Sequence, residues 1–398
     1  MGFAITELFR PGLPASEAPW AQPPRYSFVG GHNDPDNVPF GGLAEAAVNV
    51  LRREGTSLAH YNLGGGPQGY LPLREFVTDV LSVRAGIDAQ PSDVLITSGS
   101  LQALDLVNEL FLEPSDTVIV EEATYGGMLS RLARIGVEVI GAPLDRHGIQ
   151  TEQLGSLLAG LQRRNKLPKY IYTIPTVQNP TGSVMSTERR LALLELARLY
   201  GIVIFEDDCY ADLLWDGERP RSIRALDSGG GQVIYCGSFS KSIAPALRLG
   251  YVVADWPVLS KMLALKTDAG SGALEQMVLA EYAAAHFDDH VRQLTSVLRA
   301  KCAVMTDALR VNFGDFASFD QPRGGIFLWV TFPEGVDTSV IANAAASAGV
   351  EFNPGAGWSA NPQWGARRLR LCFGHPTPEI IREGIAALAE VFRSAAAF

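Results

Sequence analysis

Residues 235–251 read YCGSFSKSIAPALRLGY, a stretch that sets Lys241 behind Ser238 and Ser240 and places Arg248 seven residues further on. Six of the 33 basic residues are lysines and the other 27 are arginines, so a lysine at 241 stands out. A lysine amine can be desolvated, lose its proton, attack a carbonyl and hold it as a Schiff base, whereas a guanidinium stays charged. Short serine hydroxyls and the arginine fork suit a phosphate dianion. Taken alone, the stretch also fits a surface lysine in a serine-rich turn.

Other polar residues fall where chemistry would use them. GIVIFEDDCY ends an apolar run with Glu206, Asp207 and Asp208, a costly place for carboxylates unless each is exposed or paired. One reading is a solvated strand end; the other is a buried carboxylate that holds a protonated ring nitrogen or a metal. IPTVQNPTG offers Asn179 in a turn opened by Pro180 and closed by Gly182, which by itself is a plain turn. VLITSGSLQALDLV reads as strand, Ser98-Gly99-Ser100 turn and helix. That turn aims free N–H groups and a positive helix end at whatever lies above, as a phosphate cradle would, although an ordinary N-cap has the same composition.

The elements that must position these groups are legible as short β-branched runs: VLITSG, TVIVEE, VEVIGAP, KYIYTIP, GIVIFED, QVIYCGS and GYVVAD. Amphipathic stretches such as LQALDLVNELFL and TERRLALLELARLYG separate them. This rhythm predicts an α/β layer of about seven strands, mainly parallel, with the polar residues at the strands' carboxyl ends, where open parallel sheets bind ligands. After residue 285 a long helical pattern, strand-like GGIFLWVTF and RRLRLCFG, and further helices predict a smaller α+β unit. The expected organisation is an N-terminal segment over 1–40, which holds seven prolines, a large domain over 41–285 and a small domain over 286–398.

Composition bounds the rest. The 398 residues are 47% hydrophobic and 19% charged, with a formal net charge of -10, which suits a globular chain and small-molecule partners, not nucleic acid or an anionic membrane. Cys209, Cys236, Cys302 and Cys372 show no CxxC pairing, and no signal peptide or long apolar span is visible, so a cytoplasmic location is expected. A phosphate cradle, a carboxylate for a pyridinium nitrogen and a Schiff-base lysine are together what pyridoxal 5'-phosphate requires of a protein.

In the ordered set SGSLQ, ATYGG, QNPTG, EDDCY and SFSK, followed by Arg248, the chain resembles the fold-type I pyridoxal-phosphate enzymes. Within them it is most similar to the class I/II aminotransferases of the α-aminoadipate and kynurenine type. The resemblance implies that Lys241 holds the cofactor and moves the proton, that Asp207 pairs with the pyridine nitrogen, and that Asn179 and Tyr210 hydrogen-bond its phenolic oxygen. It also implies that Tyr125 stacks on the ring, and that Ser100, the backbone of Leu101, Ser238, Ser240 and Arg248 hold the phosphate. Arg370 in LRLCF resembles the arginine that grips the substrate carboxylate, and Gly31 would allow backbone to approach it. Strand alternation leaves Arg368 on the same face as Arg370, and only the family motif favours the latter.

Two departures stand out. Counting back nine residues from Leu73 gives Gly64, where relatives carry a tyrosine for the partner subunit's phosphate; Tyr61 takes that role only with a three-residue insertion in YNLGGGPQGYLPLR. In GGHNDPDNVPF, where relatives tend to have an apolar residue after the two glycines, His32, Asn33 and Asp34 are either a surface loop or polar groups beside the substrate. The second case, with His32 the candidate contact, would point to a polar substrate or to a reaction other than simple transamination. The expected activity is transamination between an α-amino acid and a 2-oxo acid by a homodimer, in amino-acid metabolism or biosynthesis and with no metal. β- or γ-elimination or replacement on the same scaffold is the alternative. A ligand-sensing regulator domain is disfavoured, because only about 25 residues precede the matching region and the charge is negative.

Overall fold

The computed structural model describes residues 5–14, 16–229 and 231–395. Seven strands form one sheet: Val94–Thr97 (β1), Thr117–Glu121 (β2), Glu138–Ala142 (β3), Tyr170–Thr173 (β4), Val203–Asp207 (β5), Val233–Ser238 (β6) and Gly250–Val253 (β7). They coincide with the seven apolar runs of the sequence. The order is β1-β7-β6-β5-β4-β2-β3, and β7 alone runs antiparallel, between β1 and β6.

Period-two alternation feeds a separate core on each side of this sheet. Val118, Val120, Tyr170, Tyr172 and Phe205 pack on one face, and Ile119, Ile171 and Ile204 on the other. Both faces are covered, which is why the strands read as unbroken apolar runs. Helix boundaries follow local chemistry: the helix Thr187–Tyr200 starts where the Ser186 hydroxyl accepts from Arg189 N and stops at Gly201, whose φ of 66° is left-handed.

A second, antiparallel sheet joins Phe327–Thr331, Arg368–Cys372 and Asn353–Pro354 in that order. The helix Pro378–Ser394 packs on a 41-residue helix, Ala273–Phe313, which runs without a break through residues 285 and 286 and so belongs to both units. Residues 26–28 return to the smaller unit: Tyr26–Ser27 pairs in parallel with Val350–Glu351, and Cys372 N donates to Phe28 O at 2.8 Å. Among the described residues, no helix is long and apolar enough to cross a membrane.

Candidate active site

Because β1, β2, β4, β5 and β6 are mutually parallel, their carboxyl ends share one edge. β7 runs the other way, so its beginning lies at that edge too and carries Arg248 there. A cavity of about 370 Å³ opens at this edge, closed from above by the smaller sheet. Of the residues singled out in the sequence, the larger grooves, about 540 Å³ around Arg146 and Trp364 and about 760 Å³ around Tyr70 and Met277, hold only Gly182 and Arg368, both in the former.

One end of the cavity is lined by Ser100, Leu101, Ser238, Ser240 and Arg248. Ser240 N donates to Ser238 Oγ at 3.1 Å, and Arg248 Nη2 donates to Ser98 O at 3.2 Å. Gly99 has a φ of 74°, and a Cβ there would collide with the Arg248 guanidinium. A Cβ at Gly250 would lie 2.7 Å from Ser100 N. Both glycines therefore let serine, arginine and helix N-terminus converge.

Of the three carboxylates that end β5, two turn away. Glu206 accepts from Ile223 N and Arg224 N, both at 2.8 Å, and faces Arg190 at 3.5 Å; Asp208 pairs with Arg219 at 2.9 Å. Asp207 alone lines the cavity. Its Oδ2 accepts from the Tyr172 hydroxyl at 2.7 Å, while the buried Oδ1 has no hydrogen-bond partner. Burial pushes the Asp207 carboxyl up from its ordinary range, and the neighbouring Cys209 thiol and Tyr172 hydroxyl pull it partly back. An unpaired buried carboxylate costs several kcal/mol, of order 3–5 when its partner is missing, so this atom is poised to meet a cation.

Lys241 Nζ donates to Gly31 O at 2.6 Å. Burial lowers its pKa from the ordinary lysine value, and the positive charges of Arg370 and Arg248 lower it further. A Cβ at Gly31 would stand 2.9 Å from Nζ, so glycine is what allows this approach. Asn179 Nδ2 donates to the Tyr210 hydroxyl at 3.1 Å, and the Tyr125 ring lies 5.8 Å from that of Trp358.

Arg370 is sandwiched between Phe327, 3.9 Å from its ring centroid, and Trp358 at 3.6 Å. Its guanidinium donates to Gly30 O and Asn353 Oδ1, both at 2.7 Å, and to Asn179 Oδ1 at 3.2 Å. Nε stays buried without a partner, and burial lowers the pKa to about 10, so the group remains a cation. Arg368 instead stacks on Trp364, with its guanidinium carbon 3.6 Å from the ring centroid. Of the two arginines that alternation left open, Arg370 lines the cavity and Arg368 does not.

The polar loop beside the cavity differs from expectation. His32 does not line the cavity; its ring meets His375 at 5.9 Å, and burial lowers its pKa. Asn33 Nδ2 donates to Ile243 O at 3.2 Å, and Asp34 forms a buried ion pair with Lys301 at 3.1 Å. These side chains fasten the N-terminal segment to the body of the protein instead of facing a substrate. Tyr61 also lies outside this cavity and is 85% exposed.

Several residues at the site carried no signal in the sequence. Tyr172, Trp358, Phe327 and Asn353 are one-off side chains in strands and loops that local pattern does not mark. Glu121 supports the loop that bears Asn179: it accepts from Thr173 Oγ1 at 2.7 Å, Gln178 Nε2 at 2.8 Å and Ile174 N at 3.2 Å. Burial raises its pKa from 4.5 to about 7. Between those values the folded chain keeps a proton that the unfolded chain has lost, so this stabilisation is full below the lower value and is lost as pH rises through the upper one. Across that window Glu121 accounts for a decline of up to about 3 kcal/mol. Denaturant unfolding of Glu121→Gln should show a correspondingly shallower decline than the parent, and parallel curves would contradict the assignment.

The residues fit pyridoxal phosphate: an unpartnered buried Asp207 Oδ1 for a ring nitrogen, a desolvated Lys241 amine, and serine hydroxyls with Arg248 for a phosphate. Comparison with known proteins agrees. The family profile for aminotransferase class I and II matches residues 36–388. The chain is 34% identical over 370 residues to aromatic-amino-acid aminotransferase 1 of Thermococcus litoralis, covering 92% of this chain and 88% of that one. Among solved structures, it superposes with a TM-score of 0.86 and 32% identity on the α-aminoadipate aminotransferase LysN of Thermus thermophilus, over 94% of this chain and 93% of the other. With the kynurenine aminotransferase of Pyrococcus horikoshii, whose structure contains PMP, the TM-score is 0.87 at 34% identity, over 93% and 91% of the two chains. A match of this extent, over a cavity built for that cofactor, means that the chain belongs to the class I and II aminotransferases.

Proposed function

We propose that this protein transfers the amino group of an α-amino acid to a 2-oxo acid with pyridoxal phosphate held on Lys241. The observation that carries the reading is one cavity holding a desolvated lysine amine, an unpaired carboxylate and a buried arginine with a free N–H. When bound, the cofactor supplies an aldehyde for the amine and an electron sink for the bond broken at Cα. The chain's own residues do the rest. Arg370, held by its two aromatic neighbours and three acceptors, presents a rigid cation to the substrate carboxylate, with the backbone at Gly31 alongside. Lys241, released from the cofactor, stands where it can take the Cα proton and return it.

In this reading Asp207 keeps the ring nitrogen protonated, Asn179 and Tyr210 hold the phenolic oxygen, and Tyr125 covers one ring face. Ser100, the Leu101 backbone, Ser238, Ser240 and Arg248 hold the phosphate. The chain acts as a homodimer in which Tyr61 reaches the partner's cofactor. Tyr61, 85% exposed, is free to reach a partner. A reducing cytoplasm suits the four unpaired cysteines. The polar loop no longer favours elimination or replacement, since Asn33 and Asp34 are engaged with Ile243 and Lys301.

The test is a half-reaction. Purified protein mixed with single amino acids, aromatic and 2-aminoadipate first, should release one matching 2-oxo acid per cofactor without acceptor, as the cofactor passes to its amine form. Release of ammonia or of a side-chain leaving group in place of that exchange would overturn the reading.

A further inference from the structure

Beneath the cavity two cysteines that the proposed reaction does not use lie beside Asp207, which it does use. Asp207 and Cys236 are register partners on β5 and β6, so their side chains leave the same face of the sheet side by side. Asp208 N donates to Cys236 O at 2.9 Å, which turns the chain after β5 and brings Cys209 back to that face. A carboxylate oxygen of Asp207 and the sulfurs of Cys209 and Cys236 all lie within 4.8 Å of one another. Cys236 is fully buried, while Cys209 lines the cavity and gives access to it.

We propose that Asp207, Cys209 and Cys236 form a binding site for a thiophilic divalent cation, zinc or cadmium, and that the ion competes with pyridoxal phosphate for Asp207. The inference rests on the proposed role of Asp207 toward the cofactor. A metal bound at about 2.3 Å to sulfur and about 2.0 Å to oxygen in tetrahedral geometry needs donor atoms about 3.5–3.8 Å apart, inside the 4.8 Å within which all three observed donors lie. Two sulfurs select zinc or cadmium over magnesium or calcium. On binding, each thiol loses its proton to solvent and forms one metal–sulfur bond, with no change of oxidation state.

Charge supports the site. Among the described residues Asp207 has no ion-pair partner, and its unpartnered Oδ1 is buried. With both thiols deprotonated, two thiolates and one carboxylate would place three negative charges around a dication, against the repulsion from Lys241 and Arg370 in the same cavity. The fourth position faces the cavity, where the cofactor ring would come to Asp207.

Cobalt(II) reports on such a site through thiolate-to-metal absorption. The full-length chain, freed of cofactor by dialysis against a carbonyl reagent, should bind one equivalent of cobalt with that absorption, and zinc should displace it. Cys209→Ala should weaken binding by at least about 100-fold, the upper end of what is lost even when only a supporting group is removed. Cys236→Ser should do the same if it folds, and Cys209, less deeply buried, makes the safer variant. Prior saturation with pyridoxal phosphate should suppress the cobalt signal. Absence of thiolate absorption, or its persistence in Cys209→Ala, overturns the site; indifference to bound cofactor overturns the competition. The lysine-linked cofactor absorbance is recorded separately, so a failure of Lys241 to take up the cofactor reads as failure of the proposed function and not of the metal site.

Discussion

Replacing Lys241 by arginine should reduce turnover by at least about 10⁴-fold, the upper range for losing a general acid–base group, with loss of the covalent step added. Arginine keeps a long basic side chain there, so the fold should persist and melt as the parent does. What changes is the proton. The Lys241 amine is buried and its pKa depressed, chiefly by desolvation and then by Arg370 and Arg248, so it spends more time neutral and nucleophilic than a surface lysine. A guanidinium in the same place stays charged and cannot add to an aldehyde. The readout beyond rate is covalent: borohydride treatment of the parent should fix the cofactor on the peptide carrying Lys241, and the variant should show no modified peptide. Retention of turnover within tenfold, or modification at another lysine, would remove Lys241 from the reaction.

The second large effect is expected at Asp207→Asn, where turnover should fall by about 10³-fold, on the scale of removing one preorganised charge from a dry site. The amide keeps the shape and can still meet the Tyr172 hydroxyl, so cofactor uptake and the lysine-linked absorbance should survive. It carries no charge to hold a proton on the ring nitrogen, and the electron sink weakens. Tyr172→Phe is a useful companion, because it removes only the 2.7 Å hydrogen bond that steadies the carboxylate. Equal turnover in parent and Asp207→Asn would show that ring protonation does not limit the reaction.

The fold was legible because both faces of the sheet are buried: each strand had to be an apolar run, and each connecting helix had to carry a polar side. Residues at the strand ends were legible for the same reason, since polar groups that interrupt such runs need a purpose. The cavity gathers Ser100, Asn179, Asp207, Tyr210, Ser238 and Lys241 from these ends, and Arg370 from the middle of a strand in the smaller sheet. His32 could not be placed from the sequence, because a polar residue next to a glycine pair looks the same whether it faces a ligand or, as here, another histidine 343 positions away in a chain of 398.

By itself, then, the sequence determined periodicity, strand ends and the family to which the chain belongs, all of which are written in residues close together along the chain. Only the tertiary structure decided which of Glu206, Asp207 and Asp208 stays unpaired, because Arg190 and Arg219 arrive from elsewhere to neutralise the other two. It also placed Arg370 in the cavity between Phe327 and Trp358, and set Arg368 outside it against Trp364. The antiparallel direction of β7, and with it the delivery of Arg248, is of the same kind: an apolar strand reads alike in both directions, and its neighbours in the sheet set which way it runs. Local pattern fixes where a side chain can point, while the partners that set its charge and reach come from distant parts of the chain.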